Sequence, residues 1–136
     1  MKTSLDRIDS YMNILGIINE QISEDVWIIH DPTKGLNQIV VFVDETLVTL
    51  RCKTISVEGL DEQQRLKLYE TLLKLNLEMV HGAYALEDTS IVVMDTLELE
   101  TMDLEEFQAS LEAIGLAVAQ HYRILSKYAG GSNGHV

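Results

Sequence analysis

Several things are scarce in this sequence. It holds one cysteine, Cys52, in 136 residues. That excludes an internal disulfide and any cysteine-cluster metal site. A single proline and the lack of repeats or low-complexity blocks leave no sign of a second domain. No stretch approaches the roughly 20 apolar residues that span a bilayer. The start, MKTSLDRIDSYMN, lacks the apolar core and small-residue cleavage site of a signal peptide, so a cytoplasmic location is expected. Basic side chains are also few, 10 against 22 acidic, for a net charge of −12. Such a chain repels nucleic-acid phosphates and anionic lipid. It attracts basic partners, or the charge simply keeps it soluble.

What is present is a balanced, foldable chain. Apolar residues make up 46% of the sequence, enough for a core that needs no metal or disulfide. The acidity is uneven. Residues 58–112 carry 14 acidic and 3 basic side chains, whereas residues 113–136 carry none and 2.

Apolar residues at Leu5, Ile8, Met12, Leu15 and Ile18 recur at steps of three and four, which predicts a helix over 4–20. Beyond it the period changes. VWII is β-rich, DPTKG supplies turn chemistry, QIVVFV is apolar on both faces, and TLVTLRCKT alternates after a second turn at Asp44-Glu45. Three antiparallel strands are expected there. Asp61 and Gln64 form a capping box for a helix over about 62–75. AYAL and IVVM flank the turn EDTS and predict two more strands. Asp103 and Glu106 form another capping box, with Met102 and Phe107 in staple positions. From there Leu104, Phe107, Leu111, Ile114, Val118, Tyr122, Leu125 and Tyr128 predict one helix of about 25 residues. A second row on it is small (Ala109, Ala113, Ala117, near Gly115), which lets another backbone approach closely. The expectation is an α+β domain over 1–129: an antiparallel five-stranded sheet with three helices, in the order α-β-β-β-α-β-β-α. AGGSNGHV at the end reads as a flexible tail over 130–136.

Catalytic patterns are missing. His30, His81, His121 and His135 do not pair at ligand spacing, and no HExxH, Walker loop, G-x-S-x-G or dinucleotide fingerprint occurs. No cofactor or metal site is predicted. Cys52 lies between Arg51 and Lys53, but strand alternation turns both cations away from it and favours a buried thiol. Trp27 and Ile29 share one strand face, opposite Val26 and Ile28. Left uncovered, that pair would form a partner-contact patch; otherwise a helix or a second subunit buries it.

The stretch LLKLNLEMVHGAYALEDTSIVVMDTLELETMDLEEFQASLEAI resembles the second half of the YbjN-like family and is similar to the class I type III secretion chaperones. The features that carry the resemblance are Leu75-Asn76 at a helix end, Gly82-Ala83 opening a hairpin, and Glu87-Asp88 at its turn. Thr96-Leu97 and Leu99 close the second strand, and Asp103-Leu104-Glu105-Glu106 start the long helix. Secretion chaperones are small acidic cytoplasmic dimers that hold an extended client segment, whereas YbjN-like proteins carry a regulatory association. The resemblance therefore implies a homodimeric, non-enzymatic module that binds a protein or peptide. Two alternatives stay open: a small metal-dependent hydrolase using His81, Asp88 and His30, and a structural subunit of a larger assembly.

Overall fold

A computed structural model describes residues 2–133. The first helix, α1, spans Lys2–Leu15. It is shorter than the periodicity predicts, because Gly16 takes a left-handed conformation with φ 66°. The amide of Ile17 then reaches back to the Met12 carbonyl at 3.0 Å, and that of Gly16 to the Asn13 carbonyl at 3.1 Å. This pair of bonds closes the helix end. The residues released by that stop, Asn19–Ser23, form a strand β1 that the sequence reading does not anticipate. Then come β2 (Val26–Asp31), a 3-10 turn over Pro32–Lys34, β3 (Leu36–Asp44) and β4 (Leu47–Ser56). Helix α2 (Glu62–Glu78), strands β5 (Ala83–Glu87) and β6 (Ser90–Glu98), and helices α3 (Leu104–Gln120) and α4 (Tyr122–Asn133) complete the chain.

The five-stranded expectation is thus corrected to six strands, all antiparallel, in the order β1-β2-β3-β4-β6-β5. Three expected helices become four, because the long C-terminal helix breaks at His121 (φ −99°, ψ 8°). Helix α4 runs to Asn133, into the segment expected to be a flexible tail; residues 134–136 of that segment, with His135, lie outside the described residues. The predicted turns are present. Two-residue loops join β3 to β4 and β5 to β6, with positive φ at Glu45 (58°) and Asp88 (54°). Both capping boxes form, Asp61 with Gln64 and Asp103 with Glu106.

The core lies between one face of the sheet and the helices. Ile8 and Met12 of α1 join Phe107, Leu111 and Ile114 of α3 over Trp27, Ile29, Ile39, Val41, Leu50 and Val93. Each such side chain contributes roughly 1.5–3 kcal/mol by leaving water. The small row on α3 serves the close approach expected of it at one point: a Cβ on Gly115 would lie 2.8 Å from the Gly35 carbonyl oxygen. At the helix break, His121 is buried with Nδ1 2.8 Å from the Tyr84 hydroxyl. Burial, aided by Cys52 nearby, pushes the Tyr84 hydroxyl up to about 12. The uncharged Tyr84 hydroxyl thus ties β5 to the helix break at ordinary pH.

Asp31 fixes the loop between α1 and β1. It accepts from the Thr33 hydroxyl at 2.6 Å and from the Ile18 amide at 3.1 Å. The Thr33 bond first, then the Ile18 bond, hold its carboxyl below the usual range against the opposing effect of burial. A carboxyl lowered by folding stabilises the native state above its unfolded value and loses that contribution as pH falls through the folded one. Acid titration followed by circular dichroism is expected to show wild-type stability declining as pH drops below about 4. Asp31→Asn should flatten that decline and be less stable than wild type at pH 7.

Candidate protein-binding surface

Strand alternation sends neighbouring side chains to opposite faces of the sheet, and the helices cover only one of them. Trp27 and Ile29 fall on the covered side. Both are fully buried, and Trp27 Nε1 donates to Asp9 Oδ1 of α1 at 2.8 Å. Neither presents surface in this chain; of the two outcomes open from the sequence, burial under a helix is the one observed. Their strand neighbours Val26 and Ile28 face the other way, beside Phe42 and Val40 of β3, with which they pair. All four are half-buried. Thr49 and Arg51 of β4, Met94 of β6 and Ala83 of β5 extend this face in register. The result is an apolar sheet surface that no helix covers among the described residues.

One ion pair crosses it. A guanidinium nitrogen of Arg51 lies 2.7 and 2.9 Å from the two carboxylate oxygens of Glu87, two strands away. Arg51 stands opposite Met94 and Glu87 opposite Ser90, so the line between them passes over β6 near Val92. Val92 is 1% exposed although it belongs to this outer face and not to the main core cluster. The crossing side chains account for its burial. Arg51 also lies 5.9 Å from the centre of the Phe42 ring, and its Nε is buried without a hydrogen-bond partner. The outer face thus carries an unmet donor among apolar neighbours.

The two sheet edges differ. On β5 the Asn76 side chain accepts from the Tyr84 amide at 2.7 Å and donates to the Tyr84 carbonyl at 3.2 Å. One side-chain amide imitates a neighbouring strand and occupies that edge at Tyr84. Asn76→Ala should leave both backbone groups unpaired and lower stability by about 1–3 kcal/mol, read from the denaturant midpoint. Among the described residues, strand β1 has no such cover. Four of its five residues are exposed, and it ends the sheet on the other side.

Other sequence candidates are scattered. His30 is the penultimate residue of β2, His81 is exposed before β5, and Asp88 sits in the β5–β6 turn. Four strand spacings of about 4.8 Å separate β2 from β5, so His30 does not meet Asp88. His81 and Asp88 flank opposite ends of β5. Among the described residues no group of three or more His, Cys, Asp or Glu could hold a metal. Cys52 is buried as expected, and desolvation raises its thiol, which makes it a poor nucleophile. The sequence reading missed an exposed stripe on α2. Leu66, Leu73 and Leu77 lie two turns and one turn apart on one side of the helix, and Leu77 is 89% exposed. The signal was there in the leucines all round this helix.

A family model, CesT_Tir_1, matches residues 1–131. The chain belongs to the CesT_Tir_1 family, one of type III secretion chaperones. No curated protein sequence matches this family member. Solved structures share its fold at low identity. An uncharacterized protein from Methanothermobacter thermautotrophicus has a TM-score of 0.64 at 13% identity, over 93% of this chain and 99% of that one. YbjN from E. coli gives 0.62 at 14%, over 89% and 92%. A chain of the heterodimeric ExoU–SpcU complex, from the type III secretion system of Pseudomonas aeruginosa, gives 0.54 at 13%, over 83% and 93%. The fold of this CesT_Tir_1 member is the chaperone-like, protein-binding fold of the type III secretion chaperone and YbjN type. The motif residues that carried the resemblance have physical roles in it. Asn76 occupies the β5 edge, Gly82 turns with φ 81° against the Met94 carbonyl, and Asp103 caps α3. Among the described residues, no helix is long and apolar enough to cross a membrane.

Proposed function

We propose that this chain is a non-enzymatic, cytoplasmic module that binds a polypeptide partner, as chaperone or regulator, and works as a homodimer. The observation that carries this reading is the uncovered apolar face of the sheet, where Val26, Ile28, Val40 and Phe42 lie beside the unmet Arg51 Nε donor. A partner segment laid there would dry the apolar side chains and offer a carbonyl or carboxylate to the exposed part of the Arg51 guanidinium. Trp27 and Ile29 support that face from beneath, as the buried side of the same strand. The free β1 edge gives an extended segment a second means of attachment through main-chain hydrogen bonds. The anionic body adds attraction for a basic partner. The homodimer reading rests on the leucine stripe of α2, which a second copy would cover.

Affinity capture with the intact chain and with Ile28→Asp tests the binding reading. Ile28→Asp should keep its circular dichroism spectrum and lose the specific polypeptide that the wild type retains. Equal capture by both proteins would refute use of this face. Sedimentation equilibrium of Leu73→Glu with Leu77→Glu tests the dimer. Wild type at twice the monomer mass and the variant at the monomer mass are expected.

A further inference from the structure

A second surface lies away from the sheet. Glu78 at the end of α2 and the residues Met79–His81 that follow it run beside α3 and leave a groove of about 380 Å³. On the α3 side, Ala109, Glu112, Ala113, Leu116, Ala117 and Gln120 recur at steps of three and four, so one face of the helix lines it. Met79 and Val80 form the facing wall, and buried His121 closes one end of the floor. Three properties bear on what fits there. The groove follows 12 residues of helix, about 17 Å or three turns at 1.5 Å per residue. Its floor is alanine, so a partner helix can come within the roughly 8 Å that small contact residues allow. Its described lining holds two exposed carboxylates, Glu78 and Glu112, and neither lysine nor arginine. Val80 and Leu116 stand exposed beside them, at 89% and 57%.

We propose that this groove receives a short amphipathic helix of the partner polypeptide, with its apolar side on the alanine row and lysine or arginine toward Glu78 and Glu112. Length and the alanine floor select a helix over a single side chain, and charge complementarity selects a basic one. The inference rests on the polypeptide-binding reading above but uses a different surface, so the two fail separately.

The probe is a synthetic 14-residue leucine–lysine amphipathic helix, with its leucine–glutamate counterpart as control. Chain labelled at alanine methyls is titrated by NMR. The lysine peptide should shift the Ala109, Ala113 and Ala117 methyls and bind at least tenfold tighter than the glutamate peptide. Ala113→Phe should fill the groove and reduce affinity tenfold or more. Leu116→Ser, at an exposed position, does the same by removing apolar contact and stands in if Ala113→Phe fails to fold. Glu78→Lys with Glu112→Lys should abolish or reverse the preference for the basic peptide. No binding, equal affinity for the two peptides, affinity unchanged in Leu116→Ser, or shifts confined to other methyls would overturn the inference. So would groove shifts that appear on concentrating the protein alone, which would give the site to a second copy. Ile28→Asp separates the two readings. If it loses the captured polypeptide while the lysine peptide fails to bind wild type, the sheet-face reading survives and the groove proposal falls.

Discussion

A Trp27→Ala chain is expected to lose about 3–5 kcal/mol of folding stability, the usual effect of deleting a buried large aromatic. That is a large fraction of the 5–15 kcal/mol typical of a domain. Trp27 is fully buried between β2 and α1, and its indole nitrogen holds Asp9 at 2.8 Å. Truncation leaves a cavity under α1 and strips the Asp9 carboxylate of that donor. Guanidinium unfolding followed by circular dichroism measures the loss. Trp27→Phe, which keeps most of the apolar volume, should recover the greater part of it. The wild-type fluorescence of this single tryptophan should be blue-shifted and resist acrylamide. A change below about 1 kcal/mol in Trp27→Ala would place the side chain at a surface instead.

Gly82→Val combines two penalties. Gly82 sits at φ 81°, where a side chain on an L residue costs roughly 1–2 kcal/mol. A Cβ there would also lie 2.8 Å from the Met94 carbonyl oxygen, a backbone atom that moves only with β6. Overpacking of that kind adds about 1–3 kcal/mol. The sum is expected to shift the thermal midpoint down by on the order of 10 °C. Gly16→Ala, with similar φ but nothing within 4 Å of the added carbon, should show the strain alone. Comparing Gly16→Ala with Gly82→Ala, which add the same carbon at their two sites, separates conformation from collision. Equal losses would remove the collision with β6.

The contrast between these glycines and the rest of the chain shows what the sequence made legible. The capping residues Asp61 and Asp103 and the turns at 44–46 and 87–90 act through neighbours a few positions away, so their spacing was enough. The strand NEQIS was not readable, because an exposed edge strand has no buried side to impose alternation. The break at His121 was invisible for another reason. The side chain that meets His121 there is Tyr84, 37 positions earlier, and the apolar period runs on through the break. The surface itself was half legible. Parity grouped Trp27 with Ile29 and Val26 with Ile28, as observed. Both pairs are apolar, however, so local sequence could not tell which one the helices would cover. The Arg51–Glu87 crossing spans 36 positions and depends on strand order, which no local pattern reveals.

The substitute strand that Asn76 supplies to β5 bears on how copies of this protein could join side by side. A ribbon of sheets grows without limit only if every member has two available margins. Here one margin is already taken at Tyr84 by a side chain of the same molecule. Joining through β1 uses up the other. Contact of that kind would favour a closed pair over a fibre.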